Sequence, residues 1–211
     1  MAHRLQLEHV RIALAGQELL AIDTAVGPGE VLTVMGPSGS GKSTLLAFLA
    51  GFLDPAFAAS GRVLLDGDDV TELPPEARHI GLLFQDPMLF PHLSIIGNLL
   101  FGVPRTVADR RQAASDVLVS AGLQGFEDRD PATLSGGQQA RVALLRVLLS
   151  NPRAVLLDEP FSKLDADLRG ELRRFVFERV ATLGLPTLLV THDEADAAAA
   201  GGPVIRLRNG G

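Results

Sequence analysis

Nine residues constrain this chain more than any others: the run from Gly36 to Thr44 (GPSGSGKST), set between an apolar stretch, Val31–Met35, and a helical pattern. Strand, glycine-rich turn, lysine, hydroxyl pair and helix in that order form a cradle for phosphate. Gly36, Gly39 and Gly41 let the backbone wrap closely around an anion, so that several N–H groups converge on it and the helix start adds a favourable dipole. Pro37, Ser38, Ser40 and Thr44 complete the cradle. Lys42 is expected to place a compact charge on the β and γ phosphates, and Ser43 to offer its hydroxyl to magnesium. Of 19 Lys and Arg residues only Lys42 and Lys163 are lysines, and a lysine in such a chain serves where a compact, strongly hydrated charge is wanted. A glycine turn that binds nothing would leave that choice unexplained. Alone, the cradle implies a nucleoside triphosphate and no more.

The surrounding pattern sets the fold class. Val31–Met35, Ile80–Phe84, Ala154–Asp158 and Thr187–Val190 read as strands buried on both faces, with helical periodicity after Gly41 and across 107–121, 136–149 and 164–183. Such alternation argues an α/β domain with a mostly parallel sheet. The first thirty residues and Gly61–Asp66 read as antiparallel strands. Between Gln85 and Leu134 the strand signal disappears and Pro87, Pro91, Pro104 and Pro131 punctuate helical sequence. The expectation is one domain over 1–211, with a P-loop NTPase core (1–84 and 135–211), an N-terminal antiparallel β subdomain and an inserted helical subdomain (85–134).

Composition removes several function classes. An apolar fraction of 46% can supply a core, and a net charge of −6 with no basic tract gives no case for nucleic acid as a partner. The absence of cysteine excludes disulfides and thiolate metal sites. No run approaches the ~20 apolar residues of a membrane span, and the N-terminus lacks the apolar stretch of a signal peptide. A soluble chain is expected, so any membrane role needs a partner that spans.

Two further motifs carry chemistry. Ala154–Asp158 is an apolar strand ending in two acids, Asp158 and Glu159. Asp158 is placed to hold magnesium, and Glu159, next along the chain, to orient or deprotonate the water that attacks the γ-phosphate. The second motif opens a helix at Leu134. Ser135 and Gln138 form a Ser-x-x-Gln capping box, while Gly136 and Gly137 leave the helix start bare at a cost of about 1 kcal/mol per glycine against alanine. Close approach of another molecule would account for that cost.

These motifs together resemble the ATP-binding-cassette ATPases. Leu134–Gln138 looks like their signature motif, Gln85 like their Q-loop glutamine, Ser162–Asp165 like their D-loop, and His192 like their switch histidine. The resemblance implies ATP and Mg2+ as cofactors and ATP hydrolysis as the activity. It implies two cassettes packed head to tail, a homodimer being expected, so that Ser135 and Gly137, with Gly136 and Gln138 beside them, complete the γ-phosphate site of the other copy. Gln85 would touch magnesium and the attacking water, and His192 would hold the γ-phosphate and help place Glu159.

Three positions depart from the family pattern. Leu14 falls where an aromatic residue usually stacks on adenine, so weaker ATP affinity or looser base selectivity is expected. Lys163 falls where a small residue is usual; it either reaches across the dimer or is solvated, and solvation is the expectation. The sequence stops at Gly211, soon after the last expected strand, so the C-terminal regulatory domain of many sugar-importer ATPases is expected to be absent.

The segment Asp86–Leu93 is similar to the part of bacterial importer ATPases that receives the coupling helix of the membrane subunit. Met88, Leu89 and Phe90 are therefore either docking residues or packing of the helical subdomain. This likeness suggests the small stand-alone ATPases of the thiamine, sulfate and polyamine importers. Their partners would be transmembrane permease subunits docking near Gln85–Leu93 and an extracytoplasmic substrate-binding protein. The chain would then sit at the cytoplasmic face of the inner membrane. An exporter or lipoprotein-release ATPase is the alternative within the family. A soluble cassette of DNA repair or translation is the alternative outside transport, although long coiled coils and a second cassette are missing from the sequence.

Overall fold

A computed structural model describes residues 3–207. In chain order the elements are β1 (Leu5–Leu14), β2 (Gln17–Val26), β3 (Val31–Met35), α1 (Lys42–Ala50), β4 (Phe57–Leu65), β5 (Asp68–Asp69), β6 (Ile80–Leu83), α2 (Ile95–Gly102), α3 (Arg110–Ser120), α4 (Gly136–Leu149), β7 (Ala154–Asp158), α5 (Ala166–Thr182), β8 (Thr187–Thr191), α6 (Glu194–Ala200) and β9 (Val204–Arg206). They fall into two compact units. The described parts of Met1–Leu82, Arg153–Glu159 and Phe177–Gly211 form the first, and Leu83–Pro152 with Pro160–Val176 the second.

The first unit carries two sheets. One is antiparallel, in the order β2-β1-β4-β5; the other has the order β6-β7-β8-β3-β9, and β3 pairs in parallel with both β8 and β9. This is the mixed α/β fold the sequence implies. The two sheets read differently because their burial differs. In β1, Leu5, Leu7, Val10 and Ile12 are buried and their neighbours face outward, the alternation of a one-sided sheet. All of β3 and β8 is buried, which is why they read as unbroken apolar runs. The core joins Leu5 and Ile12 of β1 to Leu32, Leu46, Leu49 and Leu156.

One strand is longer than its sequence suggests. The expected strand began at Gly61, whereas β4 begins at Phe57, and its added residues pair along the far half of β1, from Ser60 opposite Arg11 to Phe57 opposite Leu14. Alanine and serine carry little strand preference, so the waiting partner strand decides. Between the two halves lies a bulge at His9, and Gly61 (φ +99°) crosses it: a Cβ there would lie 2.6 Å from His9 O and Val10 Cα.

Two arginines tie the first unit together. Arg153 donates from Nε to Asp66 (3.0 Å) and from Nη2 to Leu65 O (2.9 Å) and Asp68 (3.0 Å). Asp66 also accepts from Arg4 N (2.7 Å) and lies 2.7 Å from His3 Nδ1. Burial opposes its ionisation, but the bonds from His3, Arg4 and Arg153 outweigh it, and the Asp66 carboxyl is held below the usual range. Arg78 is buried and donates to Phe48 O (2.8 Å) and Leu49 O (3.0 Å) at the end of α1, to Leu73 O (2.8 Å) and to Thr71 O.

The second unit is helical. Ser94, Asp109 and Ser135 cap α2, α3 and α4 through side-chain oxygens, and Ile95, Leu99, Leu118, Val142 and Leu145 form its core. Among the described residues no helix is long and apolar enough to cross a membrane.

Candidate active site

The cradle forms as its glycines require. Gly39 (φ +83°) and Gly41 (φ +85°) take left-handed conformations that admit side chains poorly, and a Cβ on Gly41 would meet Leu20 Cδ2 at 2.9 Å. Gly41 precedes α1 with no side-chain cap, so the first N–H groups of that helix have no side-chain acceptor from the cap position. Ser40 Oγ is buried without a hydrogen-bond partner, and Lys42, itself buried, folds its ammonium back onto Gly36 O and Pro37 O at 2.8 Å each. Donors turned inward on a loop in this way fit a phosphate chain.

The loop and the acidic pair meet. Ser43 Oγ donates to Asp158 Oδ1 at 3.4 Å. Adjacent oxygens around an octahedral Mg2+, each about 2.1 Å from it, lie about 3 Å apart, so this hydroxyl and carboxylate can share one such ion. No cluster of three or more His, Cys, Asp or Glu suited to a metal occurs among the described residues. Burial pushes the Asp158 carboxyl up; the Ser43 bond opposes this, the Glu159 charge adds to it and Lys42 offsets part. A cation at Asp158 would reverse that balance.

Glu159 leaves β7 at φ +44°, uncommon for a residue with a side chain. Its N–H donates to Val190 O on β8 at 2.9 Å, and its Oε1 lies 3.1 Å from His192 Nδ1. The loop carrying His192 is shaped by a contact the sequence did not suggest. Thr191 Oγ1 donates to buried Asp196 at 2.8 Å and accepts from Asp193 N at 3.1 Å. A polar residue two positions inside the short, alanine-rich α6 was the available signal.

Above the loop lies a cavity of about 420 Å³, lined by Ser38, Gly39, Gly41–Thr44 and Glu159 and by the apolar side chains of Leu14, Leu19 and Phe57. The first unit thus gathers Leu14, the cradle, Asp158, Glu159 and His192. Gln85 and Ser135–Gln138 belong to the second unit.

Within the second unit Gln85 Nε2 donates to Ser162 Oγ at 3.0 Å. Lys163 corrects the expectation of a merely solvated side chain: it pairs with Asp86, the residue after Gln85, because its four-carbon stem reaches the neighbouring loop. At the start of α4 the capping box is present, Ser135 Oγ accepting from Gln138 N (3.3 Å) and Ser135 N donating to Gln138 Oε1 (3.0 Å). The two glycines have neighbours of their own: a Cβ on Gly136 would lie 3.3 Å from Leu164 and one on Gly137 3.6 Å from Leu168.

The segment after Gln85 divides between packing and exposure. Leu89 packs against the helical core, and the Phe90 ring sits 4.7 Å from that of Phe101 and 5.1 Å from the Arg146 guanidinium. Met88 and Phe101 are 62% and 71% exposed. Fully buried Asn98 holds the segment, accepting from Phe90 N (2.7 Å) and donating to Phe90 O (3.1 Å), while Arg146 donates to Pro87 O (3.3 Å) and to Asn98 Oδ1 (3.4 Å). The sequence reading missed Asn98, Phe101 and Arg146; an asparagine within the apolar run of α2 was the one hint.

Comparison with known proteins shows the family. The profile of the ABC transporter family matches residues 19–162. The chain is 46% identical over 196 residues to an uncharacterized ABC transporter ATP-binding protein, YnjD, of Escherichia coli (strain K12), covering 92% of this chain and 90% of that one. It is 41% identical over 185 residues (86% of this chain) to the spermidine/putrescine import ATP-binding protein PotA of Bacillus anthracis, and 41% identical over 192 residues (90% of this chain) to the Fe(3+) ions import ATP-binding protein FbpC 1 of Rhizobium meliloti (strain 1021). It spans 56% and 54% of those two longer proteins. With a family-model match across both units and a relative 46% identical over nearly its whole length, the chain belongs to the ABC transporter ATP-binding family, whose members are ATPases that bind ATP with Mg2+.

Proposed function

We propose that this chain drives a bacterial importer from the cytoplasmic face of the inner membrane, with Glu159 as the general base of ATP hydrolysis. The observation that carries the catalytic part is that Lys42, Ser43 and Glu159 line one cavity, with Asp158 bonded to Ser43 and His192 beside Glu159. The loop Gly36–Thr44 holds the phosphates through its N–H groups, and Lys42 exchanges its two carbonyl partners for phosphate oxygens. Ser43 and Asp158 hold magnesium, which when bound neutralises charge developing on the phosphates. Glu159 takes the proton of the water that attacks the γ-phosphorus as ADP leaves. His192, 3.1 Å from Glu159, keeps that carboxylate aimed and contacts the γ-phosphate. Gln85, whose amide nitrogen is taken up by Ser162, would offer its amide oxygen to the magnesium and the water. Ser135 and Gly137 of a second copy complete the site, so the active unit is a homodimer closed on two ATP molecules.

Import is supported by the names of two relatives, a spermidine/putrescine import ATP-binding protein and an Fe(3+) ions import ATP-binding protein. The exposed Met88 of the Gln85–Leu93 segment and the exposed Phe101, whose ring meets that of Phe90, suit a docking permease helix, and an extracytoplasmic binding protein belongs to the same system. Glu159→Gln tests the catalytic assignment: an ATP-bound dimer should accumulate on size exclusion, and hydrolysis at the wild-type rate would refute it. Co-purification with a multi-spanning membrane protein and a periplasmic binding protein tests import; a membrane partner that extrudes lipid or lipoprotein would overturn it.

A further inference from the structure

The cavity over the phosphate loop is lined by polar loop residues and by apolar side chains, and the apolar lining contains an aromatic ring in an unexpected place. Sequence alone leaves Leu14 at the position expected to stack on a base. In the structure, the early start of β4 sets Phe57 directly opposite Leu14 in antiparallel register. Residues so opposed share one face of the sheet, with Cβ atoms about 4.5–5.5 Å apart. Both line the cavity, together with Leu19 of β2. The same sheet is pressed against the loop, since a Cβ on Gly41 would lie 2.9 Å from Leu20 Cδ2 and 3.6 Å from Leu19 Cβ. Phe57 rests against the core while still bounding the cavity, and among the described residues its ring stacks on no other.

A nucleoside triphosphate needs both parts of this lining, donors and a cation for its phosphates and an apolar surface for its flat ring. We infer that Phe57 supplies the platform for the nucleotide base, taking from the adjacent strand the place that Leu14 leaves without an aromatic ring. This rests on the reading of the cradle as an ATP site. It also revises the expectation of weakened binding: the stacking contact is moved by one strand and kept.

Stacking of a base on an aromatic side chain contributes about 1–3 kcal/mol, which is about 5- to 150-fold in affinity. The test titrates the full chain with Mg-ATP, Mg-GTP and inorganic tripolyphosphate by calorimetry. Phe57→Ala should weaken ATP and GTP by a factor within that range and leave tripolyphosphate unchanged. Phe57→Tyr should bind as wild type, and Leu14→Tyr placed in the Phe57→Ala chain should restore nucleotide affinity. Equal ATP affinity in Phe57→Ala and wild type overturns the inference, as does a loss for tripolyphosphate as large as that for ATP, which would make Phe57 a structural residue. Lys42→Ala separates the underlying reading: if it leaves tripolyphosphate and ATP binding unaltered, the cradle itself is misread.

Discussion

Lys163 is paired with the carboxylate of Asp86, one position along from the bond that Gln85 donates to Ser162 at 3.0 Å. Two consecutive residues on one loop are thus cross-linked to two consecutive residues on another. The inner link uses the Gln85 amide nitrogen as donor and leaves its oxygen for other partners. The outer link is exposed, so its own stabilisation is small, about 0.2–1 kcal/mol. Its effect should be on placement. Lys163→Ala should lower kcat for ATP about two- to fivefold at low salt with little change in KM or in Tm. Wild type should fall toward the variant as salt screens the pair, and the exchanged pair, Asp86→Lys with Lys163→Asp, should recover the rate. A salt response identical in wild type and Lys163→Ala would remove Lys163 from any such role.

Asp158 shows a conflict between stability and use. Its carboxyl is pushed up chiefly by burial, so without nucleotide its charge opposes folding above its folded pKa. Asp158→Asn should therefore raise the Tm of the nucleotide-free chain by about 2–4 °C, the shift that ~1 kcal/mol gives at this size. The same change should abolish magnesium-dependent hydrolysis. In saturating Mg-ATP the order of Tm should invert, because only wild type gains binding energy from the ion. Scanning calorimetry with and without Mg-ATP reads both effects.

Asp66 predicts the opposite pH behaviour. Burial opposes its ionisation, yet its partners hold its pKa below the ordinary value. The stabilisation is complete above the unfolded pKa of about 3.9 and is lost as pH falls through the lower, folded pKa. Asp66→Asn should cost about 1–2 kcal/mol at pH 7. The two urea curves should approach each other as pH drops below about 4.

Arg78 should be among the costliest positions outside the site. It serves four carbonyls from a buried place, and Arg78→Ala leaves them unsatisfied at a cost of about 2–4 kcal/mol by urea unfolding. Arg78→Lys should recover less than half, because an ammonium cannot fork to the ends of two segments at once.

The parallel strands, the cradle and the acidic pair were legible because each depends on local pattern. Val31–Met35 is apolar throughout because both its faces are covered, and Gly41 is glycine because its φ requires it. What escaped depends on residues far apart in the chain. The start of β4 at Phe57 follows from pairing with β1 more than forty positions earlier, and no periodicity in Phe57–Ser60 announces it. Arg78, Asn98 and Arg146 read as ordinary polar residues until the carbonyls they serve are brought to them. Lys163 was visible as an oddity, but its partner was not, since Asp86 lies 77 positions away.

The hold of Arg146 and Asn98 on the Pro87–Phe90 segment has a mechanical meaning. Arg146 belongs to α4, and α4 begins at Gly136, ten residues earlier. At 1.5 Å per residue that is a rod about 15 Å long. A push on the loop at Pro87 reaches the guanidinium at one end of the rod. Because an α-helix does not compress, the displacement is delivered to the glycines at the other end.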